Sequence, residues 1–393
     1  MEPVKTCKLF GAIRAVLGIK NAIPIIHGPV GCSYHTQYLL SLRSARNIRI
    51  LTTAMEQEDV VFGAEDKLEA VIRKADDNYH PSLIAILTSC ASSIIGEDVE
   101  RVVKTVNDQI NAKILVVNAG GFEGNQTDGY RDCLLALIDL MEDPMSREPS
   151  LNLVAQFRGG PDLETLINYF NKLEIPINCV LTSGVNLKQI NNASNASLNV
   201  SMCEASGLVP CQIMEKKFQI PFLHPILPMG INATSNFFRS ICKVLCVEYG
   251  IAHLEERYKK IISSYSTFLS GKKVAIVAGS TRAIPLTEFV SELGMEPVLV
   301  CLDLLGQFTN RKIREVVENN HIEPVILKEA DYQDIHDQMV ILRPEFILGG
   351  MHEFNLSREL EIPLLDVMHG QELTMGFEGA VAMAENIKKI LKH

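Results

Sequence analysis

Short apolar runs alternate along this chain with stretches whose apolar positions recur every three or four residues. Runs at 23–26, 83–87, 114–117, 151–154, 179–181, 273–277, 297–301 and 346–348 are candidate strands. Several are continuously apolar rather than alternating, which is the pattern of parallel strands covered on both faces. Between them, 65–75, 99–107 and 164–173 carry the helical period. Strand and helix in alternation predict an α/β protein of doubly wound, Rossmann-like parallel sheets. Three such domains are expected, at 1–147, 148–268 and 269–393. The first boundary follows from the polar segment 142–150, which carries two prolines. The third domain opens on strand 273–277 running into Gly279.

Composition narrows the class. The 393 residues are 47% hydrophobic and 21% charged, enough for a sizeable core. A formal net charge of −10 argues against a nucleic-acid binder. No apolar run reaches the roughly 20 residues a membrane helix needs. The first residues lack the apolar run of a signal peptide, so a cytoplasmic protein is expected. Ten cysteines in such a chain read mostly as buried thiols, not as a disulfide framework.

Open α/β sheets bind ligands at the carboxyl ends of their strands, so the residues after the strands carry the candidate chemistry. Cys32 follows the first strand in a loop with Gly28, Pro29 and Gly31, where glycines let the backbone approach a bound group and aim N–H donors at it. Cys90 follows the second strand among Ser89, Ser92 and Ser93, and Cys7 precedes the amphipathic stretch 9–19. Three thiols placed this way can share an iron–sulfur cluster or remain three buried thiols. Spacing alone does not choose, since there is no Cys-x-x-Cys pair.

The surrounding blocks do choose. Cys7 and Cys32, then Thr52-Thr-Ala-Met-Glu-Gln-Glu-Asp-Val-Val-Phe-Gly63, Ser89-Cys90, Ile94-Ile-Gly-Glu-Asp-Val99 and Gly121-Phe-Glu-Gly124, closely resemble the nitrogenase component-1 superfamily. The likeness runs over nearly the whole chain. It implies three Rossmann-like domains around a central cleft and an interface cluster on Cys7, Cys32 and Cys90. It also implies a dimer, and a separate NifH-like, ATP-hydrolysing iron–sulfur reductase as electron donor. Three thiolates fall short of the four ligands usual for a 4Fe-4S cluster. A homodimer with the site on its axis brings six, which suits a 4Fe-4S cluster or a larger one. No phosphate-loop motif is present, so ATP is expected on the partner and not on this chain.

Within the superfamily, short chains opening like Cys7-Lys-Leu-Phe-Gly-Ala-Ile-Arg-Ala15 look most similar to the reductive cyclase of methanogens that acts on nickel sirohydrochlorin a,c-diamide, on the way to factor 430. The resemblance also makes Cys203 a possible second metal ligand, the other reading being a structural thiol. His369 becomes a proton donor or substrate contact, although the register shifts by one after Pro363 and the segment before Gly376 is shortened. Arg43 and Arg46, with Arg49, recur at a helical spacing suited to a tetrapyrrole's carboxylates, or form a solvated basic face. His35 and Glu56 lie beside the cluster motifs as proton relays or hydrogen-bond partners. Cys242 and Cys246, four apart in the apolar stretch 236–247, read as core packing. The competing functions are a reductase of a small sulfur or nitrogen compound and a non-catalytic scaffold for metallocluster assembly.

Overall fold

All eight predicted strands form. The computed structural model describes residues 6–41, 48–147, 149–157, 159–303, 306–368 and 372–392. The first sheet contains β1 (Ala22–His27), β2 (Leu51–Thr52), β3 (Leu83–Thr88) and β4 (Lys113–Val117). They lie in the order β2-β1-β3-β4, every pairing parallel. The second holds β5 (Leu151–Val154), β6 (Ile177–Leu181), β7 (Leu198–Ser201) and β8 (Phe222–Leu223), in the order β6-β5-β7-β8. The third holds β9 (Lys273–Val277), β10 (Glu296–Leu302), β11 (Val325–Lys328), β12 (Phe346–Gly349) and β13 (Leu364–Asp366). Its order is β11-β10-β9-β12-β13, again all parallel.

Each sheet starts in its middle, winds outward on one side, and crosses back. The switch points therefore fall between β1 and β3, β5 and β7, and β9 and β12, where a doubly wound sheet opens a ligand crevice beyond its strand ends. The chain packs as two compact units. One is Val4–Phe157 with Asn178–Phe222, and the other is chiefly Arg158–Ile177 with Leu223–His393.

Helices α1 (Lys8–Leu17), α2 (Val30–Ser41), α3 (Gln57–Phe62), α4 (Glu65–Tyr79), α5 (Cys90–Ile95), α6 (Val99–Val106) and α7 (Gln126–Ile138) serve the first sheet. The core of this unit joins Phe10, Ile13 and Val16 of α1 and Leu134 and Leu137 of α7 to Leu87, Val154, Leu181 and Met214. Two glycines let α1 and α7 approach. A Cβ on Gly11 would lie 1.8 Å from the Gln126 carbonyl oxygen, and one on Gly129 would lie 1.8 Å from that of Lys8.

In the other unit, Glu292 reaches across to the start of the helix Ile231–Leu245 and accepts from the Ile231 and Asn232 N–H groups at 2.8 and 2.7 Å. Burial pushes its carboxyl up to about 7, against the pull of those two donors. A carboxyl raised this way favours the native state while protonated, and that advantage fades as pH rises from its ordinary 4.5 towards 7. Glu292→Gln should therefore flatten the decline of thermal stability across that window. Glu292→Ala, which strands two N–H groups, should cost about 1–3 kcal/mol. Melting curves at several pH values check both.

Candidate metal centre

The three thiols of the first motif set come together at the first turns of three helices. Cys7 is the N-cap of α1, Cys90 is the first residue of α5 behind the Ser89 cap, and Cys32 is the third residue of α2. Cys32 thus sits in a helix start rather than the expected loop, because the turn after β1 is only Gly28-Pro29 and the helix begins at once. Cys32 and Cys90 flank the switch point between β1 and β3.

Cys7 is carried there by α1, whose start is pinned by a bridge between Cys7 and Asn125 and by the Lys8 N–H on the Gly124 carbonyl at 3.1 Å. Gly121 marks the centre: a Cβ there would lie 3.2 Å from Cys90 Sγ and 3.5 Å from Cys7 Sγ. Its N–H donates to Cys90 Sγ at 3.1 Å. The Cys32 thiol is pushed up by burial and by the charges of Cys90 and Cys7, which places it within electrostatic reach of both. Cys90 is exposed, and Cys7 and Cys32 are half-buried.

Among the described residues no three His, Cys, Asp or Glu side chains are grouped closely enough to hold a single metal ion. In a cluster each thiolate binds a different iron, so the sulfurs stand apart around it. Three thiolates at helix N-termini meet favourable dipoles and N–H donors. Bound iron would relieve their mutual repulsion.

Gly28 is needed for room within the chain, since a Cβ on it would lie 2.3 Å from Ser89 Oγ; a Cβ on Gly31 would meet nothing within 4 Å. Beside the thiols, Lys8 bridges Glu123 at 2.7 Å and Asp132 at 3.0 Å. Burial pulls its ammonium down, but the two carboxylates outweigh that and hold it above its ordinary value.

The remaining candidates are spread out. Glu56 caps α3 in a capping box with Asp59, and His35 is exposed on α2. Cys203 is buried at the N-cap of the helix Glu204–Phe218, at the carboxyl end of β7. Arg43, Arg46 and His369 lie outside the described residues. Arg49 is not helical; its guanidinium lies 4.2 Å from the Tyr79 ring centroid. The helix expected to carry Cys242 and Cys246 ends at Leu245, and Cys246 follows it in a left-handed cap, exposed. The Cys133 and Cys301 thiols are pushed up to about 12 by burial, and burial also raises Cys179, Cys211 and Cys242.

Sequence reasoning assigned no role to His27, Thr53 or Glu97, which lie behind the thiols, nor to Gly121 between them. The signal for His27 was its place immediately before Gly28-Pro29, at the end of a buried strand.

Fold and site define a doubly wound α/β protein that gathers thiols at a sheet's switch point. The chain belongs to the nitrogenase component 1 type oxidoreductase family, whose model matches residues 7–392. It is 30% identical to the nitrogenase iron-molybdenum cofactor biosynthesis protein NifE of Clostridium pasteurianum, covering 98% of this chain and 86% of that one. It is 24% identical to the nitrogenase molybdenum-iron protein beta chain of the same organism, covering 100% and 93%. Among solved structures, "Nitrogenase Cp1 at pH 6.5" superposes with a TM-score of 0.89 at 22% identity, covering 100% of this chain and 93% of that chain. No described helix is long and apolar enough to cross a membrane.

Proposed function

We propose that this chain is the cluster-bearing component of an ATP-driven, nitrogenase-like two-component reductase, with an iron–sulfur cluster on Cys7, Cys32 and Cys90. The convergence of those thiols at three helix starts carries the proposal. The bound cluster supplies electron relay; this chain's residues hold it, donate to its ligands and shield it. Electrons come from a separate NifH-like ATPase, and ATP binds there.

Three thiolates leave a four-iron cluster one ligand short, which supports a second copy of this chain as the other half of the site. The surface supports the same reading. Val30, Tyr34 and Tyr38 form an exposed stripe on α2, and Ile94 and Phe122 are exposed close to Cys90 and Gly121. A cluster of exposed large apolar side chains next to a functional site marks an interface. Tyr34→Asp is expected to shift the protein from a dimer towards the 43.6 kDa monomer and to lower its iron content together with that shift. Light scattering coupled to size exclusion, with iron assay of each peak, checks this.

For the substrate, the first reading is reductive cyclisation of nickel sirohydrochlorin a,c-diamide. It rests on the family resemblance of the N-terminal motif. Arg43 and Arg46 would meet the macrocycle's carboxylates, and His369, His35 or Glu56 would supply protons. A second reading has an observation of its own: a relative 30% identical to this chain is a cofactor biosynthesis protein. On that reading the chain is a scaffold that binds a metallocluster and its partner but turns nothing over.

Anaerobic iron and sulfide analysis, followed by incubation with donor protein, ATP and the nickel tetrapyrrole, separates them. One small cluster per dimer and a change in the macrocycle's visible spectrum support the cyclase. A several-fold larger iron count, with ATP consumed and no spectral change, supports the scaffold. Absence of iron defeats both.

A further inference from the structure

Behind the two thiol-bearing turns that follow β1 and β3 lies a buried pair that the cluster reading leaves unused. His27 closes β1 and is fully buried. One ring nitrogen, Nδ1, lies 3.1 Å from Thr53 Oγ1, and the other, Nε2, lies 3.3 Å from Glu97 Oε2. The Glu97 side chain is 3% exposed, and its second oxygen accepts the Ala64 N–H at 2.7 Å. Thr53 Oγ1 also accepts the Gly28 N–H at 3.0 Å.

These contacts fix the resting arrangement. With Thr53 Oγ1 accepting from Gly28, its own proton is available to Nδ1. Nε2 then carries the ring proton and donates it to Glu97. Burial favours the neutral form of the ring in this arrangement. Rotating the Thr53 hydroxyl turns Oγ1 into an acceptor for a proton on Nδ1. The ring can thus become an imidazolium, held by a hydroxyl and a carboxylate, with little movement of heavy atoms.

The same residue touches the starts of both cysteine segments. Its carbonyl accepts the Ser89 N–H at 3.2 Å and Ser92 Oγ at 2.7 Å, and Ser89 caps the helix that begins at Cys90. Its C-terminal neighbour Gly28 leads directly into Cys32. The ring itself is fully buried, so a charge change at the thiols reaches it with less screening than it would meet in water.

We propose that the His27–Glu97 pair is a redox-linked proton acceptor for the group held by Cys7, Cys32 and Cys90. This inference rests on the cluster reading above. One electron delivered by the donor protein adds negative charge at the thiols, and one proton from solvent binds His27 Nδ1. When the electron leaves, that proton leaves with it. His27 is a positioning residue here, acting through charge and not by touching the metal.

Burial disfavours the charged ring and pulls His27 down, while Glu97 and, more weakly, Asp59 favour it. Glu97 faces the ring from the turn between α5 and α6. Asp59 of α3 is itself bound to Lys67 of α4 at 2.7 Å and to the Glu56 N–H at 2.6 Å. Thr53, Ser89 and Ser92 contribute only neutral groups. The added electron tips this balance, so the reduced state binds the proton more tightly and the midpoint potential falls as pH rises. Full coupling of one proton to one electron gives about 59 mV per pH unit, the one-electron equivalent of a tenfold change.

The test is a mediated redox titration of the anaerobic, iron-loaded protein at several values between about pH 6 and pH 8, the range in which histidine ordinarily titrates. The wild type should show a falling potential approaching that slope. His27→Gln, which keeps hydrogen-bonding capacity but cannot titrate, should retain its iron and give a flat line. Glu97→Gln should give a shallower slope than wild type. Equal slopes in wild type and His27→Gln, or a flat wild type, overturn the proposal. Nitrogen-15 NMR of the iron-free wild type should find His27 neutral with its proton on Nε2; a ring already charged at about pH 7 also overturns it. Wild type without iron defeats the cluster reading, whereas wild type with iron and a flat potential defeats this inference alone.

Discussion

Cys32→Ala should leave a folded protein that no longer retains its iron. Cys32 sits in the first turn of α2, half-buried, and its thiol is within electrostatic reach of Cys7 and Cys90. Losing one sulfur from a half-buried position removes little packing, so the cost in stability should stay near 1 kcal/mol. The cost to the metal site is far larger, because a cluster already short of thiolates in one chain loses another from each copy. Iron per chain should fall to near zero, while the circular dichroism spectrum and elution volume stay those of the wild type. Cys242→Ala is the matched comparison: its thiol is buried in the other unit, so the variant should keep full iron and lose some stability. Full iron retention in Cys32→Ala would overturn the assignment.

Gly129→Ala should be among the most damaging small substitutions in the N-terminal half. The added methyl would stand 1.8 Å from the Lys8 carbonyl oxygen, which is helix backbone and cannot rotate away. α1 and α7 would have to separate, opening the core shared by Phe10, Ile13, Leu134 and Leu137. Overpacking of this kind usually costs about 1–3 kcal/mol and more when backbone must move. Here soluble yield should collapse or the melting point should drop by many degrees. Gly31→Ala is the contrast. Its methyl would meet nothing within 4 Å in this chain, and alanine is the better helix former by about 1 kcal/mol. Its melting point should hold or rise. Differential scanning fluorimetry of the three proteins decides the matter.

The sheets were readable because their strands are apolar throughout, as in Leu83–Thr88, where every residue is buried. The strands that escaped notice are short or polar, except β11, a partly buried apolar run at a sheet edge. β2 and β8 have two residues each. β7 hides Asn199, whose side-chain Oδ1 accepts from the Asn152 side-chain amide at 2.8 Å inside the sheet, so its polarity reads as a loop. The thiols were legible as a set through the order of separated blocks, but their seating at helix starts was not, since periodicity blurs over the first turn of a helix. Hardest to see was the His27–Glu97 pair: 70 residues separate its members, and only the parallel pairing of β1 with β3 brings their loops together. The tight glycines are likewise silent in one dimension, because Gly11 and Gly129 matter only once α1 and α7 cross.

The helix starts that bear the thiols are continuous with elements anchored by ordinary protein contacts: α1 is locked to α7, and the turn after β1 is braced against Ser89. The cradle is thereby shaped by the polypeptide, so a cluster bound there would not have to organise it, unlike the metal of a zinc finger. Loading would then follow folding as a separate event, and stripping the metal should return a folded protein that can be loaded again.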